Sequence, residues 1–221
     1  MSYRLFAHPF SSYSWKAMIA LREKDIPFEL AMVEDAEVMA ELRQAWPLGK
    51  FPVLIDDDAE GGAPVIEATT IIEYLDLRHY ERSPLIPANA IDALDVRFMD
   101  RVFDCHVMTP MQAIVGEYIR NAAAPDQSRT GPAGEALDAI YAWLEVRLTG
   151  RDWACSHGFS MADCAAAPSL FYADWVRPIP ETLPTLRAYR ARLNARPSVA
   201  RCIEDARPYR HYFPAGAPDR D

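Results

Sequence analysis

The apolar residues of this chain change rhythm twice. Arg4 to Ala7 alternates weakly and runs into His8-Pro9, the pattern of a strand followed by a turn. After the hydroxyl cluster Ser11-Ser12-Tyr13-Ser14 a helical period begins, with Trp15, Met18 and Ile19 on one face and Lys16 and Glu23 on the other. Ile26-Pro27 ends that helix, Phe28 to Val33 reads as a second strand, and Glu37 to Ala45 as a short helix with Val38, Leu42 and Ala45 in phase. From Leu48 to Leu75 the pattern gives a strand entered at Pro52, an acidic turn, a second strand, and a helix starting just past Glu67. The short turn from Asp56 to Gly62 requires those last two strands to be antiparallel. A strand, helix, strand, helix, hairpin, helix order makes a mixed α/β unit of thioredoxin-like type.

Beyond Ser83-Pro84-Leu85-Ile86-Pro87-Ala88-Asn89 the strand pattern ceases. The expected division is an α/β domain over 1–82, a linker over 83–89 and an all-helical domain over 90–221. The first helix of the second part carries two apolar stripes: Ile91, Leu94, Phe98 and Val102, and Val96, Met99, Phe103 and Val107. A helix apolar on two faces is covered on two sides, by its own domain and by a partner. Pro110 should kink it by displacing the carbonyl one turn back. Met108, Met111, Ile114, Val115 and Tyr118 continue the stripe, 122–134 reads as a polar loop, and Leu137, Ile140, Tyr141, Leu144 and Leu148 mark a further helix. Ser160 and Asp163 form a capping box for the next one. Two short helices follow, over Leu183 to Leu193 and Ser198 to Ala206, and the tail from Pro208 has no period.

Composition narrows the function classes. With 221 residues, half of them hydrophobic, the chain can build two modest cores. A formal net charge of -9 without an arginine-rich run argues against nucleic acid as a partner. No apolar run reaches the roughly 20 residues that span a bilayer, and no signal sequence opens the chain, so a soluble cytoplasmic protein is expected. The four cysteines, Cys105, Cys155, Cys164 and Cys202, form no C-x-x-C pair and should be buried free thiols. Cys155-x-His157 with Cys164 lacks a fourth ligand at a usual spacing, and no metal is expected. Asp56-Asp57-Asp58 with Glu60 fits no calcium loop and reads as a charged hairpin turn.

The chemistry gathers at two places. Pro52 removes a backbone donor at a strand edge, which frees the peptide groups of Phe51, and the helix start beyond Glu67 offers unpaired N–H groups suited to a carboxylate. The second place is the hydroxyl cluster at the first helix, where the side chains either cap the helix or do chemistry. Gly49-Lys50-Phe51-Pro52-Val53, Glu67-Ala68-Thr69-Thr70-Ile71-Ile72-Glu73-Tyr74-Leu75, Ser160-x-x-Asp163 and Arg196-Pro197-Ser198-Val199 together resemble the glutathione S-transferase superfamily over nearly the whole chain.

That resemblance implies a cis peptide before Pro52, with the Phe51 backbone pairing with the cysteinyl part of glutathione. It implies Glu67 on the γ-glutamyl ammonium and the N–H groups of Ala68 and Thr69 on its carboxylate; Lys50, beside Phe51, is either a partner for a glutathione carboxylate or a solvated surface lysine. The family usually has Ser where this chain has Ala68, a loss of one contact worth on the order of 1 kcal/mol, and the Thr69 hydroxyl is the candidate replacement. Ser11-Ser12-Tyr13-Ser14-Trp15 is similar to the Ser-Ser-Cys-Ser-Trp motif of zeta-type transferases, in which the first serine activates the thiol. Ser11 is therefore the first candidate, with Ser12 and Tyr13 as rivals, and Tyr13 in place of Cys argues against the isomerase chemistry of that class. Met108, Met111, Tyr118 and Trp175 line either an electrophile pocket or plain core. The expected function is thiolate attack by bound glutathione on a small apolar electrophile, in a homodimer. The alternatives are a non-catalytic interaction module on the same fold, or a glutathione-dependent isomerase or dehalogenase.

Overall fold

The structure, a computed structural model, describes residues 3–58 and 62–221. Its first half holds β1 (Tyr3–Ala7), α1 (Ser12–Glu23), β2 (Glu29–Met32), α2 (Ala36–Ala45), β3 (Val53–Asp56), β4 (Val65–Ile66) and α3 (Ala68–Arg78). The sheet order is β2-β1-β3-β4, with β1 parallel to β2 and antiparallel to β3. β3 and β4 are antiparallel in the register Val53–Ile66 and Leu54–Val65, as the short turn requires. Asp56 is not a surface turn residue: it is fully buried and accepts from Tyr74 Oη at 2.6 Å. Glu60, read with the same turn, lies outside the described residues.

The second half is all helical: α4 (Ala90–Val102), a π-helical stretch (Phe103–Met108), α5 (Thr109–Arg120), α6 (Gln127–Arg147), α7 (Met161–Val176), α8 (Pro184–Ala195), α9 (Pro197–Ala206) and a 3₁₀ stretch (Arg207–Tyr212). The interruption expected at Pro110 takes the form of that π-helical stretch, which ends two residues before the proline. A longer hydrogen-bond spacing accommodates a missing N–H without ending the helix. The polar loop expected over 122–134 is a shorter one, because Asp126 caps α6 through Ser128 N at 2.9 Å and the helix then carries Pro132 internally.

α1 departs most from its sequence pattern. Lys16 was expected on a solvent face, yet it is 1% exposed, because α1 packs against α3 on one side and against α7 and α9 on the other. Glu23, at its far end, meets Arg196 Nη2 at 2.5 Å. The element linking the two halves is thus buried all round, and its charged residues are paired inside. The capping box of α7 is present: Asp163 Oδ2 accepts from Ser160 N at 2.9 Å. Its other oxygen takes Ala154 N at 2.9 Å and Tyr189 Oη at 2.6 Å. The aperiodic tail packs through aromatic contacts, with buried Phe213 stacked on Tyr172 at 6.3 Å.

Candidate functional site

The sequence makes two helix starts meet at one side of the sheet. At α3 the residue before the helix, Glu67, has φ +73°, a conformation costly for a residue with a Cβ and one that concentrates at functional sites. Its side chain makes no capping bond. The first-turn N–H groups of Ala68, Thr69 and Thr70 therefore have neither an intrahelical partner nor a side-chain cap from Glu67. They open on a cavity of about 620 Å³ that Glu67, Ala68, Thr69 and Thr70 line together with Lys50, Phe51 and Pro52. The Phe51–Pro52 peptide is cis. Phe51 lies just before β3, outside the sheet registers, and its backbone makes no hydrogen bond among the described residues.

The remaining walls come from α1 and the helical half: Tyr13, Arg101, Asp104, Cys105, Thr109 and Gln112. Of the three hydroxyl candidates only Tyr13 lines this cavity. Burial, followed by the charge of Asp104, pushes its hydroxyl up to about 12, so it stands protonated as a donor at neutral pH. Ser11 and Ser12 line an adjoining apolar pocket of about 260 Å³ with Phe10, Met111, Tyr172 and Phe213, and Gln112 belongs to both spaces. Ser11 caps α1, its Oγ accepting from Ser14 N at 3.3 Å. That bond uses a lone pair and leaves the hydroxyl proton free to donate, so capping and chemistry are compatible in one side chain. Of the apolar residues considered for an electrophile pocket, Met111 lines this space, whereas Met108 is core.

Behind the cavity lies an ion cluster. Lys16 Nζ reaches Asp100 Oδ1 at 2.5 Å, Asp104 Oδ2 at 2.7 Å and Thr69 Oγ1 at 2.7 Å. Arg101 Nη2 bonds Asp100 Oδ2 at 2.6 Å, Asp104 Oδ2 at 2.5 Å and Thr69 Oγ1 at 2.6 Å. Thr69 Oγ1 in turn donates to Asp100 Oδ2 at 3.1 Å. The Thr69 hydroxyl thus has its donor and both acceptor positions engaged, which removes it as a substitute for the serine missing at Ala68. The cluster ties the first turn of α3 to α1 and to the helical half. Of its members, Thr69 is a site residue already in the sequence reading; Asp100, Arg101 and Asp104 are not, although they interrupt a helix whose other faces are apolar. Cys105 was expected to be buried and is exposed, unlike Cys155, Cys164 and Cys202. Among the described residues no group of three or more His, Cys, Asp or Glu side chains is arranged to hold a metal ion. No helix among them is long and apolar enough to cross a membrane.

Comparison with known proteins agrees with this geometry. Residues 5–83 match the glutathione S-transferase N-terminal domain family and residues 102–197 the C-terminal domain family. A glutathione S-transferase from Methylobacterium radiotolerans, solved with glutathione sulfonate, is 28% identical with a TM-score of 0.78, covering 92% of this chain and 95% of that one. A second, from Methylobacillus flagellatus with glutathione bound, is 25% identical with a TM-score of 0.79, covering 90% and 98%. FtsZ-localized protein A of Caulobacter vibrioides is 26% identical over 206 residues, 90% of each chain. With a thioredoxin-like half and a helical half each matched by its own domain family, the chain belongs to the glutathione S-transferase superfamily.

Proposed function

We propose that the protein is a cytoplasmic glutathione transferase that holds glutathione against the start of α3 and directs its thiolate at a small apolar electrophile. The observation that carries this reading is the convergence, on one cavity, of the uncapped α3 N-terminus, the free peptide groups of Phe51 and the charged side chains of Glu67 and Lys50. A tripeptide with two carboxylates and one ammonium meets complementary groups there. The γ-glutamyl carboxylate goes to the N–H groups of Ala68 and Thr69, the ammonium to Glu67, and the cysteinyl backbone to Phe51. The adjoining aromatic pocket, reached past Gln112, receives the electrophile. Glutathione bound in a relative of 25% identity, and glutathione sulfonate in one of 28%, support the assignment.

Ser11 donates to the sulfur and favours the thiolate, the form that attacks. Ser11→Ala is expected to lower turnover on the order of a hundredfold, as removal of one donor to developing charge does, while glutathione affinity stays within about twofold. Steady-state kinetics with an aryl halide and calorimetric titration separate the two effects. A fall in Tyr13→Phe with Ser11→Ala unaffected moves the role to Tyr13, which lines the glutathione cavity itself.

One observation favours a second reading, that of a binding module without turnover: the likeness to FtsZ-localized protein A, together with Ala68 at a position that normally carries a hydroxyl. Glutathione binding without conjugation of any electrophile supports it; conjugation rules it out.

The protein works as a homodimer in this account. Ile91, Leu94 and Phe98 of α4 are 74%, 62% and 49% exposed, and Phe98 lies 6.2 Å edge-on from the half-exposed Trp143 of α6. Those three belong to one of the two stripes read from the sequence, whose fourth member Val102 is buried, and the other stripe is buried within the chain. A Leu94→Glu/Phe98→Glu double variant is expected to halve the mass in light scattering. An unchanged mass assigns the contact to another face.

A further inference from the structure

The peptide unit that joins Phe10 to Ser11 has both of its polar groups fixed. Its N–H, on Ser11, donates to His8 O at 3.0 Å, a bond within the turn itself. Its carbonyl, on Phe10, accepts from Tyr172 Oη at 3.0 Å, and Tyr172 belongs to α7 of the helical half, 162 residues further along the chain. The other bonds of the turn are local: Phe10 N donates to His8 Nδ1 at 3.0 Å, His8 N to Ser14 Oγ at 3.3 Å, and Trp15 Nε1 to Pro9 O. Among the described residues, the Tyr172 bond is the one hydrogen bond that runs from the helical half to this turn. The hydroxyl has no other hydrogen-bond partner among them. Tyr172 is 3% exposed, and burial raises its phenol well above the usual value, so it stands as a protonated donor at neutral pH. Its ring is held by Phe10 edge-on at 5.5 Å, Trp15 at 5.4 Å and Phe171 edge-on at 5.2 Å, which presents the hydroxyl in one place. A tilt of the Phe10–Ser11 peptide plane swings the Cα–Cβ bond of Ser11 and moves Oγ relative to a bound sulfur. The Ser14 N bond to Ser11 Oγ is long, at 3.3 Å, and does not by itself prevent this. A misplacement of about 1 Å at a reacting group can lower the rate on the order of a hundredfold.

We propose that Tyr172 is the positioning residue for Ser11: its hydroxyl, donating to Phe10 O, fixes the peptide that aims Ser11 Oγ at the glutathione sulfur. The proposal rests on the glutathione reading with Ser11 as the donor, and deepens it by bringing a residue of the helical half into the activation of the thiol. The same ring lines the electrophile pocket. One side chain therefore sets the electrophile and the thiol-activating hydroxyl in register with each other.

The test combines Tyr172→Phe, which keeps the ring and its packing and removes only the hydroxyl, with Ser11→Ala in a double-variant cycle on an aryl halide. In the wild-type background Tyr172→Phe is expected to lower kcat about tenfold and to leave KM for glutathione and for the electrophile within about twofold. The thiolate absorbance of bound glutathione at neutral pH is expected to fall with kcat. In the Ser11→Ala background the same change is expected to alter kcat by less than about twofold, because the hydroxyl acts through Ser11. An equal loss in both backgrounds shows a hydroxyl acting independently of Ser11 and overturns the proposal. A fall in Tm with kcat and thiolate absorbance unchanged is the mark of a merely structural bond and also overturns it, as does a loss confined to KM for the electrophile. Wild type that does not bind glutathione overturns the glutathione reading and the proposal together. Wild type that binds and conjugates glutathione, with Ser11→Ala as active as wild type, leaves that reading standing and overturns only the proposal.

Discussion

Lys16→Met is expected to destabilise the protein by about 3–5 kcal/mol and to abolish measurable glutathione binding. The lysine is 1% exposed; its ammonium donates to Asp104 Oδ2 and Thr69 Oγ1 and pairs with the Asp100 carboxylate at 2.5 Å. Removing one partner of a buried pair strands the other charge, which is why the loss exceeds what the pair contributes over an apolar substitute. Here two carboxylates are left with Arg101 as the one cation that contacts them and the Thr69 hydroxyl as a neutral donor to Asp100, which is fully buried. The binding loss follows from geometry. Lys16 holds Thr69 in the first turn of α3, and that turn provides the N–H groups that receive the γ-glutamyl carboxylate in this account. Urea denaturation measures the first effect and calorimetric titration the second. A variant of wild-type stability, or one that is destabilised yet binds normally, contradicts this account of the cluster.

The second large effect is expected at Asp163. Its carboxylate accepts from Ala154 N, Ser160 N, Ser160 Oγ and Tyr189 Oη, all inside the helical half. Asp163→Ala leaves those donors buried without an acceptor, at about 1–3 kcal/mol each, and an overall loss of about 4–5 kcal/mol is expected, at the low end of that range. At 2–4 °C per kcal/mol for a chain of this size, that is a fall in Tm of about 10 °C. Burial pushes the Asp163 carboxyl up to about 6, against the lowering effect of its hydrogen bonds. The folded state therefore retains a proton that the unfolded chain releases near pH 4. This group's contribution to stability is fully present below about pH 4 and is lost as pH rises through 6. Asp163→Asn, which cannot titrate, is expected to remove that slope. Chemical denaturation of wild type and variant at pH 4.5 and 6.5 checks both the size of the effect and its sign.

The periodic parts of the fold were legible because one period governs each of them. Leu137, Tyr141 and Leu144 repeat on one helix face, all three are fully buried, and the sequence pattern sufficed. The same holds for the antiparallel β3–β4 pair, which the short acidic turn leaves no alternative. α1 was misread at Lys16 because a lysine in a helical period ordinarily marks solvent, and nothing local announces that Asp100 and Asp104 lie across from it, more than eighty residues along the chain. The start of α6 lies outside its apolar period, which begins only at Leu137, so 122–134 reads as a polar loop. Asp126 starts the helix upstream, and the proline is carried within it.

At the site, the α3 start and the residues around Pro52 were readable as local backbone chemistry, and the resemblance supplied the ligand they suit. What was not legible is the helical wall. Arg101 and Asp104 look like surface charges in sequence, and only the crossing of α4 and the π-helical stretch behind α3 brings Arg101 to Thr69 and Asp104 to Lys16. The division of the hydroxyl cluster between two spaces, Tyr13 in one and Ser11 and Ser12 in the other, also depends on that crossing.

A crystal structure of the protein with glutathione tests the central claim most directly. The account predicts the γ-glutamyl carboxylate within roughly 3.2 Å of the N–H groups of Ala68 and Thr69, the cysteinyl backbone paired with Phe51, and the sulfur directed at the start of α1 next to Ser11 or Tyr13. Glutathione bound away from the α3 N-terminus, or crystals that stay empty at millimolar glutathione, would contradict it.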